Sequence, residues 1–117
     1  MAAPLVFKEL LHGRFDPEKI SWQPFRPGVE IARLHGGEAN QASAALLRYA
    51  PNAAVPKHIH HGFEHILVLS GSQRDDHGTY TAGTMLVSKP GSSHAVSSEE
   101  GCVVLAIWER PVEILEG

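Results

Sequence analysis

Glycine and proline interrupt this chain at short intervals. Eleven glycines and eight prolines are spread over 117 residues, and the segments between them are rich in β-branched and aromatic side chains. Segments that short cannot build stable helices, but they suit strands joined by tight turns. The strands expected are Val29 to His35, Ser43 to Tyr49, Ala54 to His60, Glu64 to Ser70, Gln73 to Asp75, Thr79 to Thr81, Thr84 to Ser88, His94 to Ser97 and Cys102 to Glu109. Val112 to Leu115 is expected to add an edge. Asp76-His77-Gly78 reads as the turn of a hairpin, and Glu64 to Ser70 is expected to stop at Gly71. Val29 to His35 reads as buried on both faces. The pattern points to an all-β chain, an antiparallel sandwich or barrel.

Residues 1–20 read differently. Phe7, Leu10, Leu11 and Phe15, followed by Asp16-Pro17, form an apolar arm, with one helical turn expected at Phe7 to Leu11. The arm is expected to pack across the domain or onto a second copy, which makes a homodimer the expected assembly. Residues 21–117 read as one domain.

The bulk properties remove several classes of function. A hydrophobic fraction of 43%, a charged fraction of 20% and a net charge of -3 are ordinary for a globular domain. Lysines and arginines are scattered, so no nucleic-acid partner is expected. Neither a signal peptide nor a membrane span is legible, and a cytoplasmic location is expected. The single cysteine, Cys102, lies in an apolar run and reads as a buried small hydrophobe.

Chemistry concentrates at His58, His60, Glu64 and His94. Residues two apart on a strand share a face, so His58 and His60 project together. His61-Gly62-Phe63 can turn the chain, and Glu64 would begin the next strand and point back. Two imidazoles and a carboxylate form a set used by metal centres that keep open positions. His94, after the Pro90-Gly91 turn, would add a third imidazole from a distant strand. His61 reads as a residue that could stand close behind this set, and Tyr49 as one that could line the mouth of the barrel. His12, His35, His65 and His77 are assigned no role. Trp22, Phe25, Phe63, Tyr80 and Trp108 read as core, arm or interface. The plain alternative is a metal-free β domain with unrelated histidines.

The spacing His58-x-His60, three residues, Glu64, six residues, Gly71 resembles the first motif of the cupin superfamily. Gly83, Gly91 and His94 are similar to its second motif, with the proline one place later than usual, at Pro90. Pro56-Lys57-His58-Ile59-His60, Asp76-His77-Gly78-Thr79-Tyr80 and Glu100-Gly101-Cys102 narrow the resemblance to ChrR-type cupins, over roughly residues 22 to 110. That resemblance implies a double-stranded β-helix, or jelly roll. It also implies a metal ion inside the barrel, held by His58, His60, Glu64 and His94. Zinc, iron, manganese, nickel and cobalt all suit such a donor set. No second Cys/His cluster accompanies it, so an anti-sigma role is not expected to carry over.

Two functions follow as expectations. The first is a metal-dependent enzyme acting on a small molecule, with dioxygenase chemistry the most specific form, and a lyase or isomerase using the same ligands. The second is a non-catalytic sensing or ligand-binding module.

Overall fold

The computed structural model describes residues 3–38 and 41–115. Ten antiparallel strands form a curled double layer: β1 Gln23–Arg26, β2 Val29–His35, β3 Ser43–Tyr49, β4 Ala53–Ile59, β5 Glu64–Asp75, β6 Gly78–Thr81, β7 Met85–Ser88, β8 Ser93–Ser98, β9 Cys102–Trp108 and β10 Glu113–Ile114. One layer runs β1-β2-β3-β9-β5, with β7 also on β5. The other joins β5 to β8, β4 and β10, with β6 also on β5. This is the all-β jelly roll that the cupin resemblance implied.

The layers are joined by one strand. Glu64 to Gly71 of β5 pairs with β9, whereas Ser72 to Asp75 pairs with β6 and Arg74 also reaches β8. The expected stop at Gly71 is therefore a bend inside a longer strand. Gly71 has φ +71°, and the register against β9 slips between Val68 and Ser70. A glycine adopts that backbone without the cost a side chain would add, so pairing resumes in the other layer.

Inward-facing residues of both layers fill the barrel. Val29, Ile31, Leu47, Val68, Val96 and Val104 are among its buried members. The outer face of the first layer is also covered, at one end. Phe7, Leu10, Phe15 and Trp22 lie over Ile20, Ala32, Leu46 and Leu69. This explains why β3 is buried on both sides almost throughout. Burial of β2 on both faces holds only for its first half, since Arg33, on the barrel side with Ile31, and His35 are exposed.

The residues of the expected arm thus pack on their own chain. Phe15 meets Trp22 edge to face at 5.7 Å, Arg48 stacks on Trp22 at 4.1 Å, and the Lys19 ammonium donates to the Val6 carbonyl at 3.0 Å. The helical turn is a short 3-10 turn at Leu10–His12 rather than Phe7 to Leu11. Glu9 and Gly13 bracket it with positive φ, which prevents extension at either end. Strand β1 is an addition to the expected set. Pro24 hides it in the sequence, because proline suits an edge strand, and β1 is an edge strand with a register slip beside Pro24.

Candidate metal centre

His58 stands near the end of β4, directly opposite His94 of β8 in the antiparallel pairing. His94 is thus distant in sequence but lies on the neighbouring strand. The candidate ligand that crosses from the facing layer is Glu64, the first residue of β5, paired there with Ser88 and Trp108. His60 falls one residue beyond β4. It is fixed by its amide donating to the Ser92 carbonyl at 2.9 Å and its carbonyl accepting from the Gly91 amide at 2.7 Å. Gly91 has φ +88°, so the Pro90-Gly91 turn both leads into β8 and holds His60.

All four side chains are buried and bring one potential ligand atom each within 4.8 Å of the others. The three imidazole centroids stand 4.7 to 5.1 Å apart, each pair tilted edge to face. Glu64 Oε1 is 3.0 Å from His60 Nε2 and 3.8 Å from His94 Nε2.

Each ring is held from behind through Nδ1. That of His58 faces the Pro56 carbonyl at 2.9 Å, that of His60 faces the Ser92 carbonyl and Oγ, both at 3.0 Å, and that of His94 faces Asp75 Oδ2 at 3.2 Å. Every one of these partners can accept a hydrogen bond; the Ser92 hydroxyl donates its own proton to the Lys89 carbonyl. A proton on Nδ1 therefore suits all three rings; without a metal His60 Nε2 also donates to Glu64 Oε1 at 3.0 Å, a proton that a bound ion would replace. The Nδ1–H form is the tautomer a histidine needs to bind a metal through Nε2. The chemistry of this donor set fits a divalent ion.

The Pro56 carbonyl is available because β4 bulges between Val55 and His58, where proline cannot supply a ladder donor. Asp75 is itself braced, since its Oδ1 accepts from the His77 amide at 2.8 Å and from the Tyr80 hydroxyl at 2.9 Å. Trp108 Nε1–H donates to Glu64 Oε2 at 2.6 Å, which leaves Oε1 facing the imidazoles.

Electrostatics favour an ionised carboxylate. Burial alone would raise the Glu64 pKa, but the hydrogen bond and charge of His60 and the donation from Trp108 outweigh it, so the pKa is lowered. Burial lowers the His58 pKa, which keeps that ring neutral and able to bind a cation. For His60 burial works in the same direction, but the hydrogen bond and charge of Glu64 prevail and raise it. Burial would also raise Asp75, yet the His77 amide, Tyr80 and His94 bring it down.

Tyr49 is buried in the wall of the cavity over the cluster, its hydroxyl 3.5 Å from Gln73 Nε2. Desolvation keeps its phenol protonated well above the usual range. His61, expected close behind the site, is placed elsewhere. Gly62 turns the chain so that His61 faces solvent and pairs with Glu113 at 2.8 Å. Asp75, Ser92 and Trp108 were not singled out in the sequence as parts of the site. Only the Asp-x-Gly turn hinted at a carboxylate near the barrel, and nothing local marks Trp108 as a partner of Glu64.

Residues 12–112 match the model of the ChrR cupin-like domain. The chain belongs to that family. It is 34% identical over 97 residues to the anti-sigma-E factor ChrR of Cereibacter sphaeroides, covering 81% of this chain and 45% of that protein. It thus spans less than half the length of that relative. ChrR in its crystal complex with SigE of Rhodobacter sphaeroides superposes with a TM-score of 0.70 at 34% identity, over 82% of this chain and 52% of ChrR. An acetylacetone dioxygenase of Acinetobacter johnsonii superposes with a TM-score of 0.79, over 99% of this chain and 80% of the enzyme. At 15% identity that likeness speaks to the fold. Among the described residues of this family member, no helix is long and apolar enough to cross a membrane.

The carboxylate behind the His94 ring is Asp75, and removing it tests its part in metal binding. Asp75→Ala is expected to weaken metal binding about ten- to hundred-fold, the usual range for a hydrogen-bond partner behind a ligating histidine. Competition against a chelating dye measures it, and an unchanged affinity would separate Asp75 from the site.

Proposed function

We propose that His58, His60, Glu64 and His94 bind one divalent metal ion, and that the protein acts through it on a small molecule. The observation that carries this reading is the common Nδ1 support of three buried imidazoles beside Glu64, whose Oε1 lies 3.0 Å from His60 Nε2 and 3.8 Å from His94 Nε2. A bound ion would supply Lewis acidity, or oxygen chemistry if it is redox-active. The chain's own residues shape what reaches it. Trp108 fixes the Glu64 carboxylate through one oxygen. Tyr49, Ile66 and Val96 give the space over the cluster an apolar wall that excludes bulk water. Dioxygenase-like turnover is the most specific form of the proposal. Oxygen uptake by the iron-loaded protein over a panel of diketones, thiols and phenols tests it. Turnover of one class is expected, and silence across the panel would remove the catalytic reading.

A second reading rests on the 34% identity to ChrR. Here the metal centre is a sensing or ligand-binding module, and a partner protein receives the signal. Metal-dependent capture of a sigma factor by the purified protein would favour it over catalysis.

We also propose a homodimer. The arm residues cover one end of the first layer, but Phe63, Met85, Val87 and Ile107 stay exposed. His65 of β5 sits between Val87 and Ile107 in the sheet, so these residues share one outer face. Sedimentation is expected to give a dimer at micromolar concentration; a stable monomer would refute this.

A further inference from the structure

Two cavities adjoin the cluster of His58, His60, Glu64 and His94. The inner cavity is small, about 30 Å³, roughly the share of one water molecule. An outer cavity of about 250 Å³ adjoins it, and the two have Phe25, Trp108, Val112 and Ile114 in common as walls. The outer cavity adds Arg26, Arg33 and Glu38 to that apolar lining.

These two arginines differ from Arg48, which is held by Glu30 at 2.8 Å. Among the described residues neither Arg26 nor Arg33 lies within ion-pair distance of a carboxylate. Arg33 lies low over Gly37, where a Cβ would come within 3.2 Å of its Cδ. The outer lining holds two guanidiniums and the single carboxylate of Glu38, so it carries a local positive charge on a chain whose net charge is -3. A combination of apolar walls and an unpaired guanidinium suits a ligand with an apolar body and one anionic end.

Building on the proposed metal site, we propose that the ligand is a small organic carboxylate. Arg26 and Arg33 receive its charge at the rim, and its apolar body passes between Phe25 and Trp108 toward the four-residue cluster. A cation is repelled by the rim and by a bound metal. A neutral molecule leaves the guanidiniums without a partner. The outer volume lies below the roughly 300 Å³ at which drug-sized pockets begin, which favours a compact, single-ring molecule over a long chain.

Calorimetric titration with benzoate and its uncharged isostere benzamide tests this, with and without zinc. At low ionic strength benzoate is expected to bind about ten-fold more tightly than benzamide, a preference of the size one charge-assisted contact supplies. The preference is expected to vanish in an Arg26→Gln/Arg33→Gln variant while benzamide affinity is unchanged. Arg14→Gln, on the arm, is expected to leave it intact. Added salt should weaken benzoate alone in the unaltered protein, which tests the rim charge independently of any variant's folding. Equal affinities, no binding of either probe at millimolar concentration, or a preference indifferent to both salt and the double variant would overturn the proposal. A preference that needs zinc but not the arginines would also overturn it, because the metal would then hold the carboxylate. Should the cluster hold no metal, the rim's preference is still expected, so the two readings fail separately.

Discussion

Replacing His94 by alanine is expected to abolish metal binding. The wild-type protein, produced without a histidine tag, should carry about one equivalent of divalent metal per chain, and the variant close to none. His94 stands opposite His58 on the adjoining strand, and its Nε2 lies 3.8 Å from Glu64 Oε1. Its removal deletes one of four converging candidate ligands and leaves the Asp75 carboxylate without its ring partner. His61→Ala is the matched control. That residue faces solvent and pairs with Glu113, so its loss should leave the metal content at about one equivalent. Elemental analysis of both variants decides the matter. Metal retained by the His94 variant, or absent from the wild type, would end the ligand assignment.

Gly71→Ala is expected to destabilise the fold by about 3 kcal/mol or more, because it combines backbone strain with a steric overlap. The φ of +71° disfavours any side chain. A Cβ there would also collide with the Gly101 carbonyl oxygen and lie 2.9 Å from the Cys102 Cα, both of them backbone atoms that cannot swing aside. The bend at Gly71 carries β5 from one layer to the other, so the whole double layer depends on it. Urea unfolding measures the change as a lower midpoint, and a cost under about 1 kcal/mol would show that the bend tolerates a side chain. Gly83→Ala makes a useful contrast. Its φ is +92°, but nothing stands within 4 Å of a Cβ there, so it carries the strain without the collision.

Most of the strand order was legible because each segment is short and punctuated, and because the turns carry their own chemistry. The Asp76-His77-Gly78 hairpin is an example: Asp75 pairs with Gly78, and the Asp75 carboxylate caps the turn at the His77 amide. Gly71 misled the reading, since a glycine after an apolar run marks the end of a strand as readily as a bend within it. Strand β1 was lost for a similar reason: Pro24 argues locally against a strand, and only the edge position beside β2 makes it acceptable. The arm's apolar residues were legible, but not the surface they would cover.

Alternation along a strand puts His58 and His60 on one face, and the resemblance to the cupin motifs joined Glu64 and His94 to them. That His58 and His94 face each other across one strand pair, while Glu64 arrives from the opposite layer, depends on register, which no local pattern encodes. The same holds for Asp75, Ser92 and Trp108, which act on the cluster through hydrogen bonds from 19, 32 and 44 positions away along the chain. The sequence by itself determined the strand periodicity and most turn positions, which rest on neighbours within a few residues, and its two motifs supplied four metal-ligand candidates. The tertiary structure alone decided how the imidazole tautomers are set, what walls the cavity and which arginines stand at its rim, because those contacts form only when two distant strands are brought together.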